Sequence, residues 1–295
     1  KFLLVIDLVL NIFGGNMLNK IVLTGASGRL GSYLRKPLSK LCIKLISTDI
    51  KNEIGSLFDN EEFIQADLSK FSEVEKIIKG STMVCHFGAL VDEAPFEDLW
   101  GPNFLGSYNV WESAKINKVK RIIYASSIHA VGMYSKTETL TSQTLHNPDS
   151  FYGLGKCFSE DLAKMYYEKN GLESVCLRIA SCAPVTTLRS LSTWLSYNDL
   201  IQMVTRCIDT PFTGFSIVYG VSNNTRKNVD NSQCSHIGFT PNDNAEQFAD
   251  EIFKGDCDEE LNDQGNQFHG GPFSSTELGI SPLGKMKIND KKKEN

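Results

Sequence analysis

Lys20-Ile21-Val22-Leu23-Thr24-Gly25-Ala26-Ser27-Gly28-Arg29-Leu30-Gly31 is the stretch whose reading decides the fold. Lys20 to Leu23 is a short β-branched and apolar run, the pattern of a buried parallel strand. Thr24-Gly25 ends it, and helical spacing follows through Leu30, Leu34 and Leu38. Between strand and helix stands Gly-x-x-Gly-x-x-Gly, at Gly25, Gly28 and Gly31. Glycine allows a tight turn and close approach of backbone to a pyrophosphate, and the helix N-terminus adds N–H donors and a positive dipole end. The strand–turn–helix context is the one such a motif needs to hold a dinucleotide. A Gly-rich turn with no ligand is the competing reading.

Downstream residues favour the ligand. Cys42 to Ser47 reads as a second strand that ends at Asp49. A carboxylate there accepts bonds from the adenosine ribose hydroxyls and repels a 2′-phosphate, which favours NAD over NADP. Lys51 nearby softens that preference. Glu62 to Gln65 is a third strand, ending before Asp67. Asp67 either accepts a bond from the adenine amine or caps a local turn. Ser69 to Lys79 reads as a helix with Phe71, Val74, Ile77 and Ile78 on one face.

The β-α alternation continues. Met83 to Phe87 is a fourth strand ended by Gly88-Ala89, and a long helix follows over about Asn103 to Asn117. Arg121 to Ala125 is a fifth strand running into Ser126-Ser127, Ser150 to about Lys169 a helix, and Val175 to Ile179 a sixth strand. The expectation is α/β: a doubly wound parallel sheet of Rossmann type, with a small C-terminal lobe covering the substrate. Residues 17–180 form the nucleotide-binding domain and 181–273 the lobe, with a late helix over Asp243 to Lys254. Residues 274–295 read as a disordered tail.

A second motif carries the chemistry. Tyr152 and Lys156 are spaced i, i+4 and share a helix face. A free tyrosine titrates near ~10, too high for a base at neutral pH. A nearby ammonium and a positive nicotinamide ring both favour phenolate. Ser127 closes the fifth strand, where strand ends face the ligand crevice, and its hydroxyl can steady the reacting oxygen. A surface Tyr–Lys pair and an ordinary loop serine are the competing readings. Ser127, Tyr152 and Lys156 together point to hydride transfer with a nicotinamide cofactor.

Composition sets the outer bounds. The chain has 295 residues, is 41% hydrophobic and carries a net charge of -5. That suffices for one large domain and offers no broad basic face for nucleic acid. Lys291-Lys292-Lys293 is a short basic cluster in a polar tail. The eight cysteines include no CxxC pair and match no zinc spacing, so they read as reduced thiols in a cytoplasmic protein. No metal site is expected. Phe2 to Phe13 is apolar except for Asp7 and Asn11, and too short to span a membrane. Met17 stands just before the first strand, so residues 1–16 read as an extension outside the fold, with a membrane anchor as the lesser reading.

These residues resemble the extended short-chain dehydrogenase/reductases, and more closely the uronate dehydrogenase family. The resemblance is carried by Ala125-Ser126-Ser127-Ile128-His129-Ala130-Val131-Gly132, by Tyr152 to Glu160, by Arg178-Ile179-Ala180-Ser181-Cys182 and by Leu191-Ser192-Thr193-Trp194. Asp230-Asn231, His236-Ile237-Gly238-Phe239 and Asp243-Asn244-Ala245-Glu246 add to it, and it runs from about residue 19 to 273. It implies oxidation of the anomeric carbon of glucuronate or galacturonate to an aldarolactone with NAD. Tyr152 would take the C1 hydroxyl proton, Ser127 would position that hydroxyl, and Lys156 would support Tyr152 and hold the nicotinamide ribose. Arg189 would grip the substrate carboxylate, and His129 and Ser181 would contact substrate. Arg29 and Leu30 would meet the pyrophosphate, Leu68 would join Asp67 in the cofactor set, and Cys182 would lie against the cofactor. The segment Phe87-Gly88-Ala89-Leu90-Val91 would line both.

Two positions depart from the family. It has a serine where Val91 stands and an asparagine where Ile128 stands, both normally touching the sugar. The chemistry is thus better defined than the substrate, since a sugar site that loses polar partners loses affinity. A nucleotide-sugar epimerase or dehydratase, a dehydrogenase of another sugar, and a non-catalytic dinucleotide sensor are the alternatives. The last typically lacks the tyrosine or lysine, which are both present. Relatives pair their long helices between subunits, so a homo-oligomer is expected.

Overall fold

In a computed structural model that describes residues 17–255 and 258–282, seven parallel strands form one sheet. Residues 1–16, Cys257 and the Lys291-Lys292-Lys293 cluster lie outside the described residues. The strands are β1 (Leu18–Thr24), β2 (Cys42–Asp49), β3 (Glu61–Gln65), β4 (Met83–His86), β5 (Arg121–Tyr124), β6 (Glu173–Ile179) and β7 (Phe215–Gly220). Their order is β3-β2-β1-β4-β5-β6-β7. The order reverses between β1 and β4, and a crevice opens there beyond the carboxyl ends.

Both sheet faces are covered, as parallel strands require. Ile21 and Leu23 of β1 pack on one side with Leu34 and Leu38 of α1 (Arg29–Ser39). Val22 faces the other, with Val74 and Ile77 of α2 (Phe71–Ile78), Trp111 of α3 (Gly106–Ile116) and Leu162 of α4 (Phe151–Asn170). Ser150 caps α4 by accepting from the Gly153 N–H at 3.0 Å, and Gly171 ends it in the left-handed region at φ 71°.

Several elements differ from the expectation. Residues 181–242 show no clean period in sequence, yet they contain α5 (Tyr197–Asp209) and β7. Leu200, Met203, Val204 and Cys207 bury one face of α5, and β7 pairs in parallel with β6. The sheet therefore has seven strands where six are legible. Trp100–Leu105 winds as a π-helix before α3 begins. α2 begins at Phe71, after the Ser69 start read from sequence, and the Ser69 hydroxyl donates to Asp67 at 2.7 Å. The late helix is a 3-10 turn, Ala245–Phe248, followed by a short helix, Ala249–Lys254. Residues 274–282, read as tail, bond to the body: the Gly279 N–H donates to Glu93 at 2.8 Å and Ser281 to Asp92.

A buried ion pair ties α1 to β3 behind the glycine turn. Arg35 donates to both Glu61 oxygens at 2.7 and 2.8 Å and to the carbonyls of Ile54 and Ser56. Glu61→Ala leaves that guanidinium buried without its counter-charge. The expected loss is about 3–5 kcal/mol, read as a lower urea midpoint at unchanged m-value. A loss below about 1 kcal/mol, the range of exposed pairs, would contradict the assignment.

Candidate active site

The floor of the crevice is set by Thr24. Its hydroxyl accepts from the N–H groups of Phe87 at 3.1 Å and Gly88 at 2.9 Å, and lies 2.8 Å from His86 Nδ1. With two donors already on the oxygen, its own proton goes to the imidazole. Burial pulls His86 down to about 3, so the ring is neutral and can accept. The next residue, Gly25, has φ 70°, and a Cβ there would stand 2.7 Å from the Phe87 and Gly88 backbone. A Cβ on Gly31 would stand 2.1 Å from the Gly25 carbonyl oxygen. Both positions exclude side chains, and the backbone of Phe87-Gly88 meets the turn directly.

Helix α1 starts at Gly28 with no side-chain cap. Its N-terminal donors and dipole therefore suit an anion. Asp49 ends β2 and accepts from the Ser27 N–H at 3.0 Å and the Lys51 N–H at 3.2 Å. Further along, Ile50, Ile64, Ala66 and Asp67 line a cleft of about 440 Å³. Asp67 accepts from the Ser69 hydroxyl and N–H, which hold its carboxyl below the usual range. It thus caps a local turn while standing in the cleft. Leu68 lies against Gly88, and its carbonyl accepts from Asn109 Nδ2 at 2.8 Å. These residues fit the adenosine half and pyrophosphate of a dinucleotide.

The three chemistry-bearing residues converge on the same edge. Ser127 bridges to Ile179 beyond the paired ends of β5 and β6. Its oxygen accepts from the His129 N–H at 3.2 Å. Tyr152 and Lys156 are both buried on α4. Lys156 Nζ donates to the Ala125 carbonyl at 2.7 Å and stands 5.3 Å from the Tyr152 ring centre. Burial pushes the Tyr152 phenol up, and a hydrogen bond from Ser127 works against that. Burial pulls Lys156 down to about 7, while Glu160 pushes it up. A phenol, a hydroxyl and an amine poised near neutrality can move one proton off a bound alcohol.

The remaining expected residues divide. His129 Nδ1 meets Asp149 at 2.8 Å, and its ring lies 5.7 Å from Tyr152. Burial pulls Arg189 down, with Asp149 and Glu260 opposing. Its terminal nitrogen donates to the His269 carbonyl at 2.7 Å, and its Nε is buried without a partner. Ser181 is held by backbone bonds to Thr193 and Leu195, at the end of β6. Cys182 is buried, its thiol pushed up to about 12 by burial and lowered somewhat by the Arg29 charge. That places Arg29 and Cys182 near each other; Leu30 packs on the core below. Val91 is 64% exposed on the segment after Gly88. Ile128 corrects the expectation: at 1% exposure it packs with Val131, Leu140 and Tyr219 and offers a ligand no side-chain surface.

Sequence reasoning misses four residues. Glu93 accepts from the Phe151 and Tyr152 N–H groups, at 3.1 and 2.8 Å, and so caps the helix that carries Tyr152. Asp149 orients His129, and the Asp149-Ser150 pair before a helix is a legible capping signal. Phe273 stacks on His129 at 3.9 Å and stands 6.2 Å from Tyr152. Glu260 accepts from the N–H groups of Leu188 and Arg189 at 2.7 and 2.6 Å. Glu93, Glu260 and Phe273 act across long sequence separations and carry no local pattern.

Among the described residues, no helix is long and apolar enough to cross a membrane, and seven cysteines are free.

Comparison with known proteins fits this geometry. The profile of the NAD dependent epimerase/dehydratase family matches residues 21–183. Uronate dehydrogenase of Pseudomonas putida is 41% identical over 231 residues, which cover 78% of this chain and 86% of that protein. Uronate dehydrogenase of Agrobacterium fabrum is 35% identical, covering 87% and 97%. A solved structure of Agrobacterium tumefaciens uronate dehydrogenase, a tyrosine-to-alanine mutant complexed with NAD, aligns with a TM-score of 0.84 at 35% identity, over 88% of this chain and 98% of that one. The chain belongs to the NAD dependent epimerase/dehydratase family and, within it, to the uronate dehydrogenases.

Proposed function

We propose that the chain oxidises a hexuronate, glucuronate or galacturonate, at C1 to the aldarolactone with NAD. The observation that carries the substrate reading is Arg189: a buried guanidinium whose Nε has no partner, facing the Asp149 carboxylate that pairs with His129. An unpaired buried donor on a planar fork suits a carboxylate. Its relatives' names point the same way.

Bound NAD supplies the hydride acceptor. Tyr152 takes the proton from the C1 hydroxyl, so the hemiacetal carbon becomes a lactone carbonyl. Ser127, whose hydroxyl bonds the phenol, turns to steady that C1 hydroxyl when substrate is bound. Lys156 holds positive charge near the phenolate and reaches the nicotinamide ribose. Arg189 orients the substrate from its carboxylate end. Arg29, Leu30 and the glycine turn meet the pyrophosphate, and Asp49 the ribose. The apolar Val91 removes one polar contact at the rim, and the buried Ile128 removes another. Sugar affinity should therefore be weaker than where both are polar.

NADH formation, followed by absorbance with NAD and each uronate in parallel, tests the reading. Growth of signal with either acid is expected, and none with uncharged hexoses. Cycling without net NADH would instead support an epimerase. Tyr152→Phe is expected to lower kcat by about 10³-fold or more, within the reach of acid–base catalysis, with NAD affinity by fluorescence titration kept within twofold. Turnover near the starting level would remove Tyr152 from the role of base. Asp49→Ala is expected to raise the KM for NAD about tenfold, the loss of about one charged hydrogen bond, and to let NADP serve. An unchanged NAD-to-NADP ratio would show that Asp49 does not read the ribose.

A further inference from the structure

Tyr152, Lys156 and Glu160 follow one another at i, i+4 and i+8 on α4, so they share a face. Glu160 is 1% exposed and takes no part in the chemistry described above. One of its oxygens accepts from the Ser126 hydroxyl and from Arg178 Nε at 3.1 Å. The other accepts from an Arg178 terminal nitrogen at 2.8 Å and from His146 Nε2 at 2.8 Å. Ser126 immediately precedes Ser127, and its carbonyl accepts from the Ile179 N–H at 3.4 Å. One carboxylate thus ties α4, the end of β5, β6 and the loop before α4 together, at the point where Ser127 leaves the sheet.

The groups facing Glu160 come from every neighbouring element. Lys156 shares its helix, Arg178 projects from β6, and His146 projects from the loop with Asp161 3.5 Å behind it. The Cys157 and Cys176 thiols and the Tyr124 and Tyr219 phenols are the other titratable neighbours, and burial pushes all four up, which keeps them neutral. Hydrocarbon of the same volume would serve packing at least as well as a buried ion pair, so a packing role alone does not account for the charge.

We propose that Glu160 is a positioning residue of the dehydrogenase, which fixes Ser127 beside the Tyr152 phenol through Ser126 and places a carboxylate one helical turn behind Lys156. This rests on Tyr152 as base and Lys156 as its support. Of the groups acting on Lys156, Glu160 is the largest that opposes burial. Loss of that charge lowers the Lys156 amine further. A less charged amine favours phenolate less, so the acid limb of kcat/KM, which follows Tyr152, moves to higher pH.

The test is the pH profile of NADH formation from NAD and the preferred uronate. In E160Q the acid limb is expected to move up by about one pH unit, with the KM for NAD within twofold. E160Q leaves Arg178 without its counter-charge, so E160Q/R178M, which removes both, is the paired variant and is expected to show the same move. S126A removes only the hydroxyl link. It is expected to lower kcat about tenfold, within the range of a lost positioning contact, with the limb in place. An unmoved limb in either Glu160 variant, or a wild-type kcat in S126A, overturns the proposal. Turnover surviving Tyr152→Phe would instead overturn the base assignment beneath it.

Discussion

The contact between the Thr24-Gly25 turn and the backbone of Phe87-Gly88 is the constraint on which the rest depends. β1 and β4 are the neighbours at which the strand order reverses, so their carboxyl ends must diverge into helices on opposite faces. The Thr24 hydroxyl prevents the gap from closing over or drifting apart. It satisfies two N–H groups of the β4 segment and hands its proton to His86. Gly25 then lets the two backbones meet without a Cβ between them. The cofactor turn lies on one side of this seam, and the segment leading to Val91 and Glu93 on the other. A side chain at Gly25 would separate both halves of the site at once.

From that seam the electrostatics follow. α4 presents Tyr152 in its first turn, where the helix dipole is positive and would favour phenolate. Glu93 occupies those first N–H groups, and the charges of Asp92 and Asp149 push the phenol further up. Alone, Tyr152 therefore stays protonated. The Ser127 hydroxyl is the neighbour that acts in the opposite direction. The same Glu93 holds the Gly279 N–H, so the C-terminal residues that carry Phe273 over His129 are fastened to the helix that carries Tyr152. The C-terminal segment and the start of the Tyr152 helix thus share one carboxylate.

The sequence shows the parts of this arrangement that are local. The glycine turn, Asp49 at a strand end, Ser127 after an apolar run and Tyr152/Lys156 at helical spacing each carry their signal within a few residues. β1, β4 and β5 were legible because burial on both faces makes them nearly continuous apolar runs, while the half-exposed edge strand β3 showed only through Phe63 and Ile64. β7 was not, because Phe215–Gly220 carries Ser216 and ends in Gly220, and α5 begins straight after the Ser-rich Leu191 to Ser196. Ile128 was misplaced because position in a motif does not reveal which way a 3-10 turn points its side chain. Glu93, Glu260 and Phe273 were invisible because their partners are 59, 71 and more than a hundred residues away.

The most direct measurement is a crystal structure of Tyr152→Phe with NAD and a uronate bound. The account predicts the sugar carboxylate on the Arg189 guanidinium, its Nε engaged, and C1 between the Ser127 hydroxyl and the nicotinamide. It also predicts the pyrophosphate at the N-terminus of α1. A uronate bound with its carboxylate away from Arg189, or with C1 remote from Ser127, would contradict it.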